Sequence, residues 1–162
     1  MMDISKIDPA DFNVITGAFK SVAQEMQDIL LRSAYSSIVR EAKDCSTCVM
    51  DAGARTVAQA EAIPIHMNSL AAVVPAIRAK YDLDNLRPND AFLTNNPYEN
   101  GQHLNDIIFI LPVFHNDRLV AFTGTICHRL HSSVKTISVS VKRHFSDLII
   151  FNTSGTKRIA TD

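Results

Sequence analysis

Near the N-terminus, apolar side chains fall at Phe12, Ile15, Phe19, Val22, Met26 and Ile29, alternately three and four residues apart. That spacing belongs to an amphipathic helix with one side made for burial, and it predicts a helix from Pro9 to about Glu41. Asp8 fits the N-cap, Pro9 the first helical position and Asp11 the positive end of the helix dipole. A helix this long is unusual for a small domain, which points to packing against something larger than its own chain. After Asp44 the pattern changes. Cys45–Met50 and Thr56–Ala60 read as two short strands joined by a turn around Asp51 and Gly53, a hairpin. Helical spacing returns from His66 to Tyr81 through Leu70, Val73, Val74 and Ile77, with Asn68 or Ser69 available as a cap and Pro75 compromising the middle. Arg87–Asp90 is turn chemistry. Three apolar segments follow, Ala91–Thr94, Ile107–Phe114 and Leu119–Cys127, the last two separated by the polar turn His115–Arg118 and expected to pair antiparallel. Thr136–Val141 alternates with period two, and Leu148–Phe151 is a candidate final strand. A long N-terminal helix, a β-hairpin, a second helix and then mainly antiparallel strands make an α+β class.

Composition narrows the field. The chain has 162 residues, 46% of them hydrophobic and 20% charged, with a formal net charge of -1. One core and a single domain, 1–162, are expected. There is no basic block and few aromatic residues, so the electrostatic footprint and stacking platforms of a nucleic-acid binder are missing. The N-terminal MMDISKIDPADF lacks the apolar core of a secretory signal, and the longest apolar run, Ile107–Phe114, is too short for a bilayer and contains Pro112. A soluble cytoplasmic chain without membrane contact is the expectation. Three cysteines, Cys45, Cys48 and Cys127, are an odd count that argues against a secreted disulfide framework.

The candidate chemistry centres on His103, Asp106 and His128. Two imidazoles and a carboxylate are a common metal-ligand set that leaves positions open for water or substrate. If the two long apolar segments form a hairpin, Asp106 at the start of the first lies beside His128 at the end of the second. Asp44, at the junction of the long helix and the first strand, could add a fourth oxygen. Taken singly, each residue has another explanation: a strand-end histidine is commonly a hydrogen-bonded core or surface residue, and an aspartate before a strand a turn former. His66 either opens its helix or points into a site, while His115 and His144 sit in polar, solvated surroundings. Cys45-Ser-Thr-Cys48 has redox or half-knuckle spacing, but in a strand the two thiols face opposite sides and packing is the expected role. No GxxxxGK[ST], GxGxxG or GxSxG motif is present, so any nucleotide chemistry must come from another chain.

Four stretches read in order carry a resemblance: DPADFNVI, LLRSAYSSIVREAKDCSTCVMDAGARTVAQAEAIPIHMNSL, RPNDAFLTNNPYENGQHLNDIIFILPVF and LVAFTGTICH. Together, from about Asp8 to His128, they resemble the N-terminal part of the hydantoinase B family, whose members are several times longer. The resemblance implies a divalent metal site on Asp44, His103, Asp106 and His128; for that mixed imidazole and carboxylate set zinc is the first choice, with manganese or iron behind it, and His66 and Asn96 are the catalytic candidates. It implies larger hydantoinase A-like and B-like partner subunits, with ATP and magnesium on a partner. The expected function is that of a metal-binding small subunit of an ATP-dependent carboxylase acting on an acetophenone-like ketone with bicarbonate. A hydantoinase or lactamase amidohydrolase and a non-catalytic assembly module are the alternatives. The sequence departs from the family at Asn96, where the N-D-P-Y pattern has aspartate, and in HRLHSSVKT; from Ser132 onward the resemblance stops and 132–162 reads as a divergent tail.

Overall fold

The computed structural model describes residues 7–60, 63–81, 86–88, 90–99, 102–129 and 140–142. Its elements are α1 (Pro9–Ser33), α2 (Ser37–Arg40), β1 (Cys45–Asp51), β2 (Thr56–Gln59), α3 (Pro64–Lys80), β3 (Ala91–Thr94), β4 (Asp106–His115), β5 (Arg118–His128) and β6 (Ser140–Lys142). The strands form one antiparallel sheet in the order β2-β1-β5-β4-β3-β6, so the α+β class expected from the pattern is the one observed. Of the expected strand Thr136–Val141 only the end falls within the described residues, in β6; Leu148–Phe151, His144 and most of the tail lie outside them.

Alternation along β1 explains how the sheet is covered on two sides. Side chains of successive strand residues point to opposite faces. Cys48 and Met50 join the main core with Leu70, Val73, Val74 and Ile77 of α3 and Phe92, Ile108, Ile110, Phe122 and Ile126 of the sheet. The intervening residues face α1: Thr47 Oγ1 donates to the Ala23 carbonyl at 2.8 Å, and Val49 packs with Ala23 and Ala58. Cys45 accepts at its carbonyl and sulfur from Gln27 Nε2. Thus Cys45 and Cys48 are both buried on opposite faces, the packing role their spacing suggested.

Three sequence expectations are corrected. The helix expected to run from Pro9 to about Glu41 is broken at Ala34–Ser36, and only the single turn α2 resumes it; Ala34 and Ser36 both adopt extended backbone. Of the apolar stripe of α1, Met26 packs against the cluster of Ala23, Val49 and Ala58, and most of the rest does not meet the sheet. Ala23 and Gln27 are the buried residues, because a small side chain lets the helix approach β1 closely, while Phe12, Ile15, Phe19, Val22 and Ile29 remain exposed. The third correction concerns α3, which begins at Pro64, with proline in its first turn, rather than at a cap on Asn68 or Ser69. The helix also continues through Pro75. Both Pro75 and Ala71, whose carbonyl the missing N–H would have served, are exposed, so water can satisfy that carbonyl.

The β4–β5 hairpin closes through Asn116 and Asp117, with φ of 48° and 58°. A two-residue turn with both angles positive matches the right-handed strand twist, and Asn and Asp tolerate that region best. The turn sets the register at His115 and Phe114, a β-bulge between Val113 and Phe114 shifts it by one residue, and the shifted register runs to the open end, where Asp106 lies opposite His128. In the middle of β5, a Cβ built on Gly124 would meet Ile110 Cδ1 at 3.0 Å and Cys48 Sγ and Leu70 Cδ2 at 3.1 Å, whereas one on Gly17 of α1 meets nothing within 4 Å. Gly124→Val should therefore cost about 1–3 kcal/mol by overpacking, and Gly17→Ala should stabilise by about 0.5–1 kcal/mol. Urea denaturation of the two variants checks both signs.

Candidate metal centre

Three strand ends meet in a row at one edge of the sheet. Cys45 pairs with Cys127, which sets Asp44 beside His128, and the His128 N–H donates to the Asp44 carbonyl at 3.1 Å. On the other side of β5, His128 pairs with Asp106. Asp106 and His128 continue the alternation of Ile108 and Ile126, so they lie on the face covered by α3. The buried stripe of α3 starts with His66 and continues through Ser69, Leu70, Val73, Val74 and Ile77. The same period that buries the core thus brings His66 to the row of strand ends.

Asp106 is the hub. Its side chain is 0% exposed, and its two oxygens serve different partners: Oδ1 lies 2.7 Å from His128 Nδ1, Oδ2 2.8 Å from His103 Nδ1. Oδ2 also accepts from the His103 backbone N–H at 3.2 Å. The two rings meet edge to face with centroids 5.9 Å apart. A neutral ring can carry its proton on Nδ1 and donate to the carboxylate, or carry it on Nε2 and offer the Nδ1 lone pair, beside an Asp106 oxygen, to a cation. One potential ligand atom from each of His103, Asp106 and His128 lies within 4.8 Å of the others. A buried carboxylate with two imidazoles fits a divalent cation of borderline softness.

Asp44 stands outside that group of three, although it is attached to it. Its Oδ1 is 3.5 Å from His66 Nε2, and His66 Nδ1 is hydrogen-bonded to the buried Ser46 hydroxyl at 3.1 Å. Burial holds the His66 imidazole below its ordinary range, opposed by the negative charges of Asp106 and Asp44 and reinforced by His128 and His103. Lys43, immediately before Asp44, adopts φ of 55°, a left-handed turn that leads the chain from α2 into β1. Asn96 acts locally, since its Oδ1 accepts from the Tyr98 N–H at 3.1 Å and organises the turn at Pro97–Glu99. His115, as expected, is exposed at the far end of β4.

The thiols have structural surroundings. Burial pushes Cys48 up to about 12. Cys45 is pulled below the usual thiol range by a hydrogen bond from Cys127, opposed by burial, and the same bond drives Cys127 upward. Sequence reasoning did not single out Asn95, Gln102 or Ser46, and took Ser69 only as an available helix cap. Asn95 Nδ2 donates to the Leu104 carbonyl at 2.8 Å, and Gln102 Nε2 donates to Ser69 Oγ at 2.6 Å and to the Ile65 carbonyl at 3.0 Å. Their only sequence signal is proximity to the QHLND stretch, because each works through contacts made in the fold. Removing the hub should destabilise more than removing an exposed partner. In chelator, Asp106→Ala should cost about 1.5–3 kcal/mol through lost charge-assisted hydrogen bonds, and His103→Ala should cost less, about 0.5–1.5 kcal/mol, because water can reach the oxygen that its exposed ring leaves. Chemical denaturation of the two variants measures the difference.

Comparison with known proteins gives the chain its family. Residues 8–141 match the Hydantoinase B/oxoprolinase family, reaching past His128, where the recognisable motifs end, and past Ser132. A Pseudomonas sp. (strain NS671) protein provisionally named as a D-/L-hydantoinase subunit is 32% identical over 131 residues, 79% of this chain and 22% of that protein. The 5-oxoprolinase of Dictyostelium discoideum is 30% identical over 149 residues, 90% of this chain and 11% of the enzyme. The chain therefore spans less than a quarter of the length of these relatives. In fold it is similar to nucleotide-free acetone carboxylase, with a TM-score of 0.72 at 18% identity over 79% of this chain and 17% of that one. It is also similar to the ATP-dependent caprolactamase of Pseudomonas jessenii, with a TM-score of 0.71 at 24% identity over 89% of this chain and 28% of that one. By the extent of the family match, the chain belongs to the hydantoinase B/oxoprolinase family.

Proposed function

We propose that this chain is the metal-binding part of a larger ATP-dependent enzyme that acts on the carbonyl of a small molecule, with His103, Asp106 and His128 holding the cation and Asp44 beside them. The observation that carries this reading is the buried Asp106 carboxylate shared between two imidazoles at a sheet edge. Zinc suits the mixed donor set best, with manganese or iron next. The bound cation would supply Lewis-acid stabilisation of a carbonyl oxygen or oxyanion. Asp106, with an oxygen 2.7–2.8 Å from Nδ1 of each ring, orients both rings toward one point, and His66, held by Ser46, faces the Asp44 carboxylate and keeps it at the row of strand ends. Asn96 carries no proton to transfer at neutral pH, so its contribution to catalysis is confined to hydrogen bonding.

Partners of hydantoinase A and B type would bring ATP, magnesium and the rest of the pocket. The exposed apolar side chains of α1 offer such subunits a face to cover, and the chain has no phosphate-binding motif of its own. In the first specific version, the complex carboxylates a small ketone with bicarbonate, in keeping with the fold likeness to acetone carboxylase. The second version is ATP-dependent hydrolysis of a hydantoin or lactam ring. It is favoured by sequence similarity at 30% identity to a 5-oxoprolinase, against a likeness to the carboxylase that is one of fold.

Elemental analysis of the purified assembly tests the reading, alongside ATP-dependent assays with ketone plus bicarbonate and with cyclic amides. About one metal per copy of this chain is expected in the wild type, and His103→Ala and Asp106→Ala should each lose it together with activity. The substrate that turns over decides between the two versions. Unchanged activity and metal content in both variants would instead make this chain an assembly module.

A further inference from the structure

His103 is the weak point of the centre. Its side chain is 66% exposed, and Leu104 after it is exposed as well, so packing does not place the ring. Its position depends on the backbone of residues 102–105. Three backbone ties of that loop run to the hairpin that carries the other site residues: Asp106 N–H donates to the His103 carbonyl at 3.0 Å, His103 N–H to Asp106 Oδ2 at 3.2 Å, and Arg129 N–H to the Asn105 carbonyl at 2.9 Å. The remaining ties come from two side-chain amides and run elsewhere. Asn95, wholly buried just after β3, donates to the Leu104 carbonyl. Gln102 reaches the first turns of α3 through Ile65 and Ser69, the same turns that carry His66.

We propose that Asn95 and Gln102 are positioning residues for the divalent cation: their amides pin the loop from two sides and so deliver the His103 imidazole to Asp106. The proposal rests on the metal reading above. A primary amide suits this role because it donates in a fixed plane and carries no charge that would compete for the cation. Groups that orient a ligand in this indirect way typically account for about 10–100-fold in metal affinity.

The test uses the full chain with cobalt(II) as the probe, in wild type, Asn95→Ala, Gln102→Ala and, as a control, Tyr98→Ala, an exposed neighbour outside the loop. Cobalt affinity and the visible d–d spectrum are read on the loaded chain, and amide hydrogen exchange at His103 and Leu104 on the metal-free chain. Both amide variants should bind cobalt about 10–100-fold more weakly, with an altered d–d spectrum and faster exchange, while Tyr98→Ala stays at wild type. If Asn95→Ala fails to fold, the half-buried Gln102 gives the deciding variant. A folded Gln102→Ala chain with wild-type affinity, spectrum and exchange overturns the positioning role and leaves the metal reading standing. A wild-type chain that takes up no cobalt sinks the metal reading itself.

Discussion

A carboxylate taken wholly out of water must have its charge satisfied, and Asp106 is such a group. An isolated buried carboxylate costs several kcal/mol, so it persists only where good partners surround it. Here both oxygens are engaged, one by each imidazole, with a backbone N–H in addition. That requirement constrains the surrounding structure. It needs the β4–β5 register to set His128 opposite Asp106, and the loop before β4 to fold back so that His103 reaches the same carboxylate.

The sheet meets these demands with the alternation that also builds the core. Ile108, Ile110, Phe122 and Ile126 fill the space beneath α3, and the next positions on that face, Asp106 and His128, arrive where the apolar layer ends. The helix does the same from above, since its buried stripe begins with His66 and becomes apolar one turn later. The polar row is thus the edge of the core, walled by apolar packing on one side and open at His103 on the other. α1 stands apart from this arrangement. It holds the opposite face through Ala23 and Gln27 and leaves most of its large apolar side chains outside, which suits a chain that makes up a small share of its longer relatives.

Much of this was legible in the sequence because it depends on local periodicity. Period-two segments separated by a polar turn gave the β4–β5 pair, and from that pair the meeting of Asp106 and His128 followed directly. Placing His103 with them needed only its nearness to Asp106. The apolar stripe of α1 was read correctly as a pattern, but within this chain Met26 packs and most of the stripe stays exposed, because a helical moment shows which residues are apolar and says nothing about which partner covers them. The break at Ala34–Ser36 carries no proline or glycine, so no local signal marked it. His66 was ambiguous for the opposite reason: its place in the site depends on α3 crossing over the start of β1, a tertiary fact. Asn95 and Gln102 act through donors aimed at the backbone of distant segments, and no spacing rule reports such contacts.

The central claim is that one cation sits among Asp106, His103 and His128. An anomalous difference map, collected at the zinc absorption edge from crystals grown with zinc, tests it most directly. The account predicts a single strong peak bonded to both imidazoles and to the Asp106 carboxylate at about 2.0–2.2 Å. A map with no peak at this sheet edge, while His103 and His128 still donate to Asp106, would show the cluster to be a hydrogen-bonded structural clasp and would contradict the account.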